Sequence, residues 1–150
     1  MMSVSIRSND VEEDIAIAAR VSAPVLITAP GHCADNILHD IVARRHTGGS
    51  PTILTCEPGG SDTFAERLAG GLATDEVVVW LKEVHRLSAA EQALVSALLA
   101  DAQHRDDDAS TRIIASSSVD LFERVEAGAF DAALFYRLNA IHIMLPLSEA

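Results

Sequence analysis

Cysteine, aromatic and basic residues are scarce in this chain of 150 residues. The two cysteines, Cys33 and Cys56, form no C-x-x-C pair, so the sequence predicts no disulfide framework and indicates a reducing compartment, the cytoplasm. Lysine and arginine number 11 against 22 aspartates and glutamates, which gives a formal charge of −11. Nucleic-acid binding needs basic residues to displace counterions, so we expect no nucleic-acid partner.

Long hydrophobic runs and a secretion signal are also missing. No run approaches the roughly 18 apolar residues of a membrane span, so no membrane partner is expected. The N-terminus is too acidic and too weakly apolar for a signal peptide. Hydrophobic residues make up 49% of the chain, which is enough for a real core and argues against disorder. We therefore expect one domain over residues 1–150.

Short apolar, β-branched runs alternate with helical patterns along the chain. The predicted strands are 24–28, 52–56, 77–81, 111–116 and 141–145, and the predicted helices are 11–20, about 36–45, 61–68, 88–102, 120–125 and 130–138. Capping boxes at Asp10–Glu13 and Ser88–Glu91 are expected to open the first and fourth helices. Gly70-Gly71 is expected to end the third helix and Gly128 to separate the last two, with turns at 46–50 and 57–61. This alternation predicts right-handed crossovers and a mainly parallel sheet covered on both faces. Ligands of such sheets bind at the carboxyl ends of the strands. Those ends carry Ala29–Asp35, Cys56–Glu57, Lys82–Glu83 and Ser116–Ser118.

The first strand, the turn after it and the next helix have the order of a phosphate-binding loop. In the signature G-x-x-x-x-G-K-[ST], glycines let the backbone approach the phosphate and a lysine supplies positive charge. This chain has the geometry without that chemistry, because an aspartate stands where the lysine should be. The eight positions read Ala29, Pro30, Gly31, His32, Cys33, Ala34, Asp35 and Asn36.

Four segments together resemble the ATPase core of the AAA+ activators of sigma-54 RNA polymerase, the sigma-54 interaction domain. The segment RIIASSSVDLFERVEAGAFDAALFYRLN (Arg112–Asn139) is similar to that family's sensor strand and following helices. VVVWLKEVHRLSAAEQALVSALL resembles its Walker B strand and next helix, and PVLITAPG and TILTC align with its first two strands. The resemblance covers nearly the whole chain. It implies a three-layer P-loop NTPase-like sandwich with five mainly parallel strands in the order 5-1-4-3-2.

The resemblance also shows which nucleotide-site residues have been replaced. The Walker A lysine corresponds to Asp35, the hydroxyl residue after it to Asn36, and the second glycine to Ala34. The Walker B aspartate corresponds to Lys82, while the neighbouring catalytic-type glutamate is kept as Glu83. Lysine to aspartate reverses the charge beside a triphosphate, so attraction becomes repulsion.

The other motifs of the family are reduced as well. The sensor asparagine corresponds to Ser118, and of the two arginine fingers the first falls on Asp131 and only the second remains, as Arg137. Too few residues separate Cys56 from Lys82 for the family's extended loop, and no GAFTGA string is present. The chain stops where the helical lid would begin, so we expect no lid subdomain.

Each remaining functional residue has an ordinary structural interpretation beside the functional one. Glu83 is either a general base or a solvated residue at a strand end, and Arg137 is either a finger reaching a neighbouring subunit or a helix-end arginine. His32, Asp35 and His39 would share a face as metal ligands if their helix began early, with Cys33 as an alternative ligand. Surface histidines and a helix cap explain the same residues. Ser116–Ser118 has no histidine partner recognisable in the sequence.

The sequence therefore predicts a pseudo-ATPase rather than an enzyme, with no cofactor. Its expected role is protein contact in bacterial transcriptional regulation, with a related AAA+ activator or a transcription component as partner. The expected assembly is a monomer or weak dimer. Two alternatives remain open: an AAA+ regulator that binds or hydrolyses ATP at an aberrant site, and a small metal-binding protein.

The exchanged charges at Asp35 and Lys82 lead to a further prediction. In the family, the corresponding lysine and aspartate lie close together at adjacent strand ends. A lone charge there would lack a partner, which is costly. We therefore predict that Asp35 and Lys82 approach within salt-bridge distance or through one water, with Glu83 as the competing acceptor.

Overall fold

The computed structural model of the chain describes residues 2–20, 24–45, 52–56, 62–73, 77–104 and 113–145, and helices alternate with strands throughout. The helices are α1 (Met2–Arg20), α2 (Gly31–Arg45), α3 (Asp62–Ala73), α4 (Ala89–His104), α5 (Leu121–Glu126) and α6 (Ala132–Leu138). The strands are β1 (Val25–Thr28), β2 (Thr52–Cys56), β3 (Val77–Leu81), β4 (Ile113–Ser117) and β5 (Ile141–Met144). A 3-10 turn, Val84–Arg86, follows β3.

The strands form one parallel sheet in the order β2-β3-β4-β1-β5. This is the order 5-1-4-3-2 read from the opposite edge, so the predicted α/β fold and strand order are confirmed. In the centre, Thr28 of β1 is in register with Ser117 of β4, and Leu81 of β3 with Ala115. Because the strands are parallel, their carboxyl ends meet at one edge, which brings the candidate residues of β1, β3 and β4 together.

Each face of the sheet carries its own apolar core. The core beneath α3–α6 includes Leu26, Leu81 and Phe130, and the core beneath α1 and α2 includes Ile27 and Trp80. Consecutive residues of β1 thus enter opposite cores, because side chains alternate along a strand. No helix in the described ranges is both long enough and apolar enough for a bilayer crossing.

Arg44 and Arg45, the last two residues of α2, connect α2 to α1. Arg45 Nε and Nη2 donate to the carbonyl oxygen of Ala18 at 3.0 and 2.8 Å, and burial lowers the pKa of this guanidinium. Arg44 donates to Asp40 at 2.9 Å and to Glu12 at 3.4 Å. Both arginines are therefore engaged in helix packing.

The start of α1 and the end of α3 differ from the predicted boundaries. The first helix begins at Met2 instead of residue 11, so Asp10 lies inside it instead of capping it. The third helix continues to Ala73, through Gly70 and Gly71, which were expected to end it. A glycine inside a helix costs only about 0.5–1 kcal/mol relative to alanine, and tertiary packing can offset that cost. The predicted turns at 46–50 and 57–61 lie outside the described residues.

The elements after β3 follow the sequence signals closely. The predicted capping box at the start of α4 is confirmed, since Ser88 N donates to Glu91 Oε1 at 2.9 Å and Glu91 N donates to Ser88 Oγ at 3.1 Å. The predicted break at Gly128 is also confirmed. Its φ of 80° lies in the left-handed region that favours glycine, and it separates α5 from α6.

Candidate functional site

The segment that aligns with a phosphate-binding loop is mostly helical. α2 begins at Gly31, whereas the apolar pattern predicted a start near Asn36. Cys33 N and Ala34 N both donate to the Pro30 carbonyl oxygen, at 2.9 and 3.0 Å. The boundary was missed because proline and glycine together indicate a turn, although proline is well suited to a helix start. These two amide groups are bonded within the first helical turn and do not point at an external anion.

The early start of α2 places His32, Asp35 and His39 at the spacing that the metal hypothesis required. Asp35 and His39 meet, with His39 Nδ1 3.4 Å from the Asp35 carboxylate and 2.8 Å from the Asp35 carbonyl oxygen. Cys33 is half-buried beside the core beneath α1 and α2. Within the described ranges, no three or more histidine, cysteine or acidic side chains are grouped so that they could hold a metal ion.

The predicted bridge between Asp35 and Lys82 does not form as a direct contact. Asp35 pairs with His39, and no ion pair between described side chains joins it to Lys82. The Lys82 ammonium instead lies 5.3 Å from the centre of the Trp80 ring. Trp80 lies near the end of β3, and Lys82 is the first residue after the strand. The indole N–H donates to Ser116 Oγ at 2.9 Å, which fixes the ring.

Glu83 is held by the end of β4. Its backbone is left-handed, with φ 53° and ψ 57°, a conformation that costs a non-glycine residue roughly 1–2 kcal/mol. Its Oε1 accepts the backbone N–H of Ser118 at 2.9 Å and lies 3.5 Å from His85 Nδ1. The glutamate and the sensor position therefore touch, and both contacts of the carboxylate with its own chain are made by Oε1.

His85 joins this cluster, and sequence reasoning missed it. Its Nδ1 lies 3.2 Å from Ser117 Oγ. Ser117 donates its hydroxyl proton to the Val119 carbonyl oxygen at 2.7 Å, so Nδ1 must carry the proton and donate to the serine. A nucleophilic triad needs the acid and the serine on different ring nitrogens, and here both face Nδ1. The cluster is therefore a structural link between the end of β3 and the end of β4.

Two histidines at this end of the sheet have lowered pKa values. Burial is the main cause for His85, with Arg124 and Arg86 adding to it and Glu83 opposing it. Burial also lowers the pKa of His142, whose Nε2 lies 2.8 Å from the hydroxyl of Thr28, with Asp120 and Asp14 opposing the shift.

The lowered histidine pKa values predict the direction of the pH dependence of stability. An unfolded histidine takes up a proton near pH 6.5, before the folded protein does. The free energy of unfolding is therefore expected to be highest above about pH 6.5 and to fall as the pH drops below it. Urea unfolding across this range measures the effect, and His85→Gln should weaken the decline. The matched control is His39→Gln, which replaces an exposed histidine on α2. An equal decline in wild type and His85→Gln would contradict the assignment of the pH dependence to His85.

The residues at the two arginine-finger positions lie on α6 and its cap. Asp131 is the N-cap of this helix, and its Oδ2 accepts the backbone N–H of Leu134 at 2.9 Å. Aspartate is a preferred cap, which gives this replacement a structural role. Arg137 lies half-buried in the last turn.

The α6 cap is also joined to α4 by a buried glutamine. Asp131 N donates to Gln92 Oε1 at 2.8 Å. Gln92 Nε2 donates to the carbonyl oxygens of Leu87 and Ala129, at 3.1 and 3.3 Å. Gln92 thus connects the start of α4 with the α5–α6 connection.

Comparison with known proteins gives consistent matches. The sigma-54 interaction domain family matches residues 2–147. The regulatory protein AtoC of Escherichia coli strain K12 is 34% identical over 95 residues, which are 58% of this chain and 21% of AtoC. The chain thus spans about a fifth of the length of this relative.

Solved structures give the same fold. NtrX from Brucella abortus in complex with ATP superposes with a TM-score of 0.70 at 21% identity, over 93% of this chain and 37% of NtrX. The RuvB Holliday junction branch migration motor of Thermotoga maritima gives 0.62 at 16% identity, over 91% of this chain and 44% of RuvB. At such identities the likeness shows the fold alone.

Proposed function

This chain belongs to the sigma-54 interaction domain family, and we propose that it serves bacterial transcriptional regulation in the cytoplasm through protein contact, without hydrolysing ATP. The observation that carries the proposal is the phosphate-loop segment. Its first helical turn starts at Gly31, and an aspartate stands in the position of the lysine. A phosphate-binding loop depends on free amides and a cation. Here the amides of Cys33 and Ala34 bond to Pro30, and an aspartate replaces the cation.

The metal and base positions support the same proposal. Lys82 stands in place of the metal-holding aspartate, and a cation there repels Mg²⁺. Glu83 is bonded to Ser118 N–H, whereas a general base must be within reach of the water that it activates. Phosphoryl transfer depends on positioning and on Mg²⁺ charge compensation, so these replacements remove most of what hydrolysis requires.

Calorimetric titration with Mg-ATP tests the proposal. We expect no binding at physiological ATP concentrations, and a micromolar dissociation constant would overturn the proposal. The double variant Asp35→Lys, Lys82→Asp restores both charges of the family pattern. It is also expected not to bind, because the helical start at Gly31 remains. Binding by this variant alone would assign the defect to the two charges and not to the backbone.

The second candidate function is an ATP-binding regulator with an aberrant site. The glutamate at the end of β3 and Arg137 on α6 favour it, since both positions match the family pattern. The same titration decides between the two, because only this alternative predicts saturable heat with Mg-ATP.

The proposed assembly is a monomer or weak dimer that contacts a related AAA+ activator or another transcription component. AAA+ neighbours meet across the nucleotide site, and a site without its ligand would hold a ring weakly. In the proposed complex Arg137 is offered to the partner's intact nucleotide site.

A further inference from the structure

An open groove lies between α4 and the segment from the end of α5 to the start of α6. It has a volume of about 890 Å³. One wall is α4, and the other is the end of α5 with the connection to α6. The lining comes from Leu87, Ala89, Gln92, Ala93, Ser96, Ala97 and Ala100 on one side, and from Val125, Gly128, Ala129, Phe130, Asp131 and Ala132 on the other. Only Asp131, at the first arginine-finger position, aligns with a functional position of the family, and none of the lining residues belongs to the phosphate-loop segment.

The chemistry of the groove suits a helix better than a small ligand. A small-molecule site needs a few polar groups that converge on the ligand. Here the floor residue Gln92 already uses both its donor and its acceptor on Leu87, Ala129 and Asp131, and Asp131 already caps α6. Apart from Ser96, the other side chains on the α4 wall are alanines, and their small size lets a second helix approach α4 closely.

The length and exposure of the α4 wall also fit a helix. Ala89, Ala93 and Ala97 are exposed, and with Ala100 they run along one side of α4 for about 16 Å at 1.5 Å per residue. The opposite side of α4 packs Val95 and Leu99 into the core. A helix that is apolar on both sides is typical of one that is covered on both sides.

The charges around the groove indicate the net charge of a segment that would bind there. Asp131 lines the groove, and Glu123 and Glu126 are exposed on the neighbouring helix α5. The exposed arginines nearest in sequence to the lining are Arg86 and Arg124. α4 itself contains no lysine or arginine. With a chain charge of −11, this surface attracts a cationic segment and repels another acidic one.

We propose that this groove binds a cationic amphipathic α-helix of a protein partner, with small apolar residues facing α4 and lysine or arginine on its flanks. The inference deepens the proposed protein-contact function by naming the surface and the partner class. It does not depend on the nucleotide result, because the groove and the phosphate-loop segment are separate. A chain that binds both the helix and Mg-ATP would overturn the pseudo-ATPase proposal and leave the groove proposal standing.

The test uses a fluorescent helical peptide of about 20 residues, long enough for the groove, with alanine and leucine on one face and lysine on the flanks. Fluorescence anisotropy with the wild-type chain is expected to give a micromolar dissociation constant that weakens with salt. A peptide with glutamate in place of lysine should not bind. Absence of binding by the lysine peptide, or equal binding by both peptides, would overturn the proposal.

The double variant Ala93→Gln, Ala97→Gln tests whether the peptide binds in the groove, because the larger side chains fill the groove without changing its charge. The double variant should lose at least about tenfold in affinity, or about 1.4 kcal/mol. The matched control is Ala90→Gln, an exposed alanine of the same helix outside the lining, which should bind like wild type. Circular dichroism confirms folding, and Ala97→Gln alone replaces the double variant if it does not fold. Equal peptide affinity of the wild type and the groove variants would show that the peptide does not bind in the groove.

Sedimentation equilibrium of the wild-type chain without peptide examines the other occupant, a second copy of this chain. We expect the wild-type chain to be monomeric, or to form a dimer that the groove variants also form. A dimer that the groove substitutions abolish would make the groove a self-association surface and overturn the cationic-helix proposal.

Discussion

Replacing Gln92 with leucine is expected to lower the free energy of unfolding by about 2–3 kcal/mol. Leucine is close to glutamine in size and suits a helix, so the loss comes from hydrogen bonding and not from a cavity. The Leu87 and Ala129 carbonyl groups lose their donor, and Asp131 N–H loses its acceptor. Leaving a buried polar group unsatisfied costs about 1–3 kcal/mol. The Leu87 contact is buried, and the Ala129 and Asp131 contacts are partly buried. Urea unfolding measures the difference.

Gln92→Glu separates the acceptor role of the side chain from its donor role. A carboxylate still accepts the Asp131 N–H but turns an oxygen toward the carbonyl groups of Leu87 and Ala129. This variant should therefore also be destabilised, and part of the loss should be regained at acidic pH, where the carboxyl group becomes a donor. Ala90→Gln, on the exposed side of the same helix, serves as the surface control. A loss of under 0.5 kcal/mol for Gln92→Leu, the size of an ordinary surface substitution, would contradict this role.

Glu83→Ala is expected to destabilise the chain by about 2 kcal/mol, because it removes a hydrogen bond to a charged group. The bond is the one from Ser118 N–H to Oε1, and the glutamate side chain is only 24% exposed. Glu83→Gly removes the same bond but also relieves the left-handed backbone at φ 53°. The glycine variant should therefore be more stable than the alanine variant by about 1 kcal/mol.

The stabilities of the alanine and glycine variants, compared with wild type, distinguish a structural glutamate from a solvated one. A solvated Glu83 would leave both variants close to wild type. A glycine variant that is less stable than the alanine variant would contradict the left-handed backbone at this position. Glu83→Gln keeps an acceptor for Ser118 N–H and should fall between wild type and alanine.

The sheet could be predicted because its signals are local. The run Val77–Leu81 is apolar and β-branched, as a doubly buried strand requires, and the neighbouring strands are bounded by turn residues. The strand order itself came from the family resemblance, because pairing between distant strands leaves little trace in a single sequence. The start of α2 was missed since Pro30 and Gly31 favour a turn and also tolerate the first turn of a helix.

The contacts at the candidate site could not be predicted, because they join residues far apart in the chain. Glu83 meets Ser118, and His85 meets Ser117, across adjacent strand ends. Sequence spacing predicts which positions share an edge of the sheet, but not which side chain takes which donor. The predicted direct contact between Asp35 and Lys82 does not form for this reason: Asp35 pairs with His39 on α2, and the Lys82 ammonium lies over the Trp80 ring.

The loss of nucleotide binding is the central claim, and thermal unfolding with and without excess Mg-ATP tests it most directly. A ligand present at 100 times its dissociation constant stabilises the folded state by about 2.7 kcal/mol. Because an aspartate and an internally bonded helical turn occupy the phosphate position, we expect the melting temperature to be the same with Mg-ATP, with Mg²⁺ alone and with neither. A rise with Mg-ATP that Mg²⁺ alone does not produce would contradict the claim.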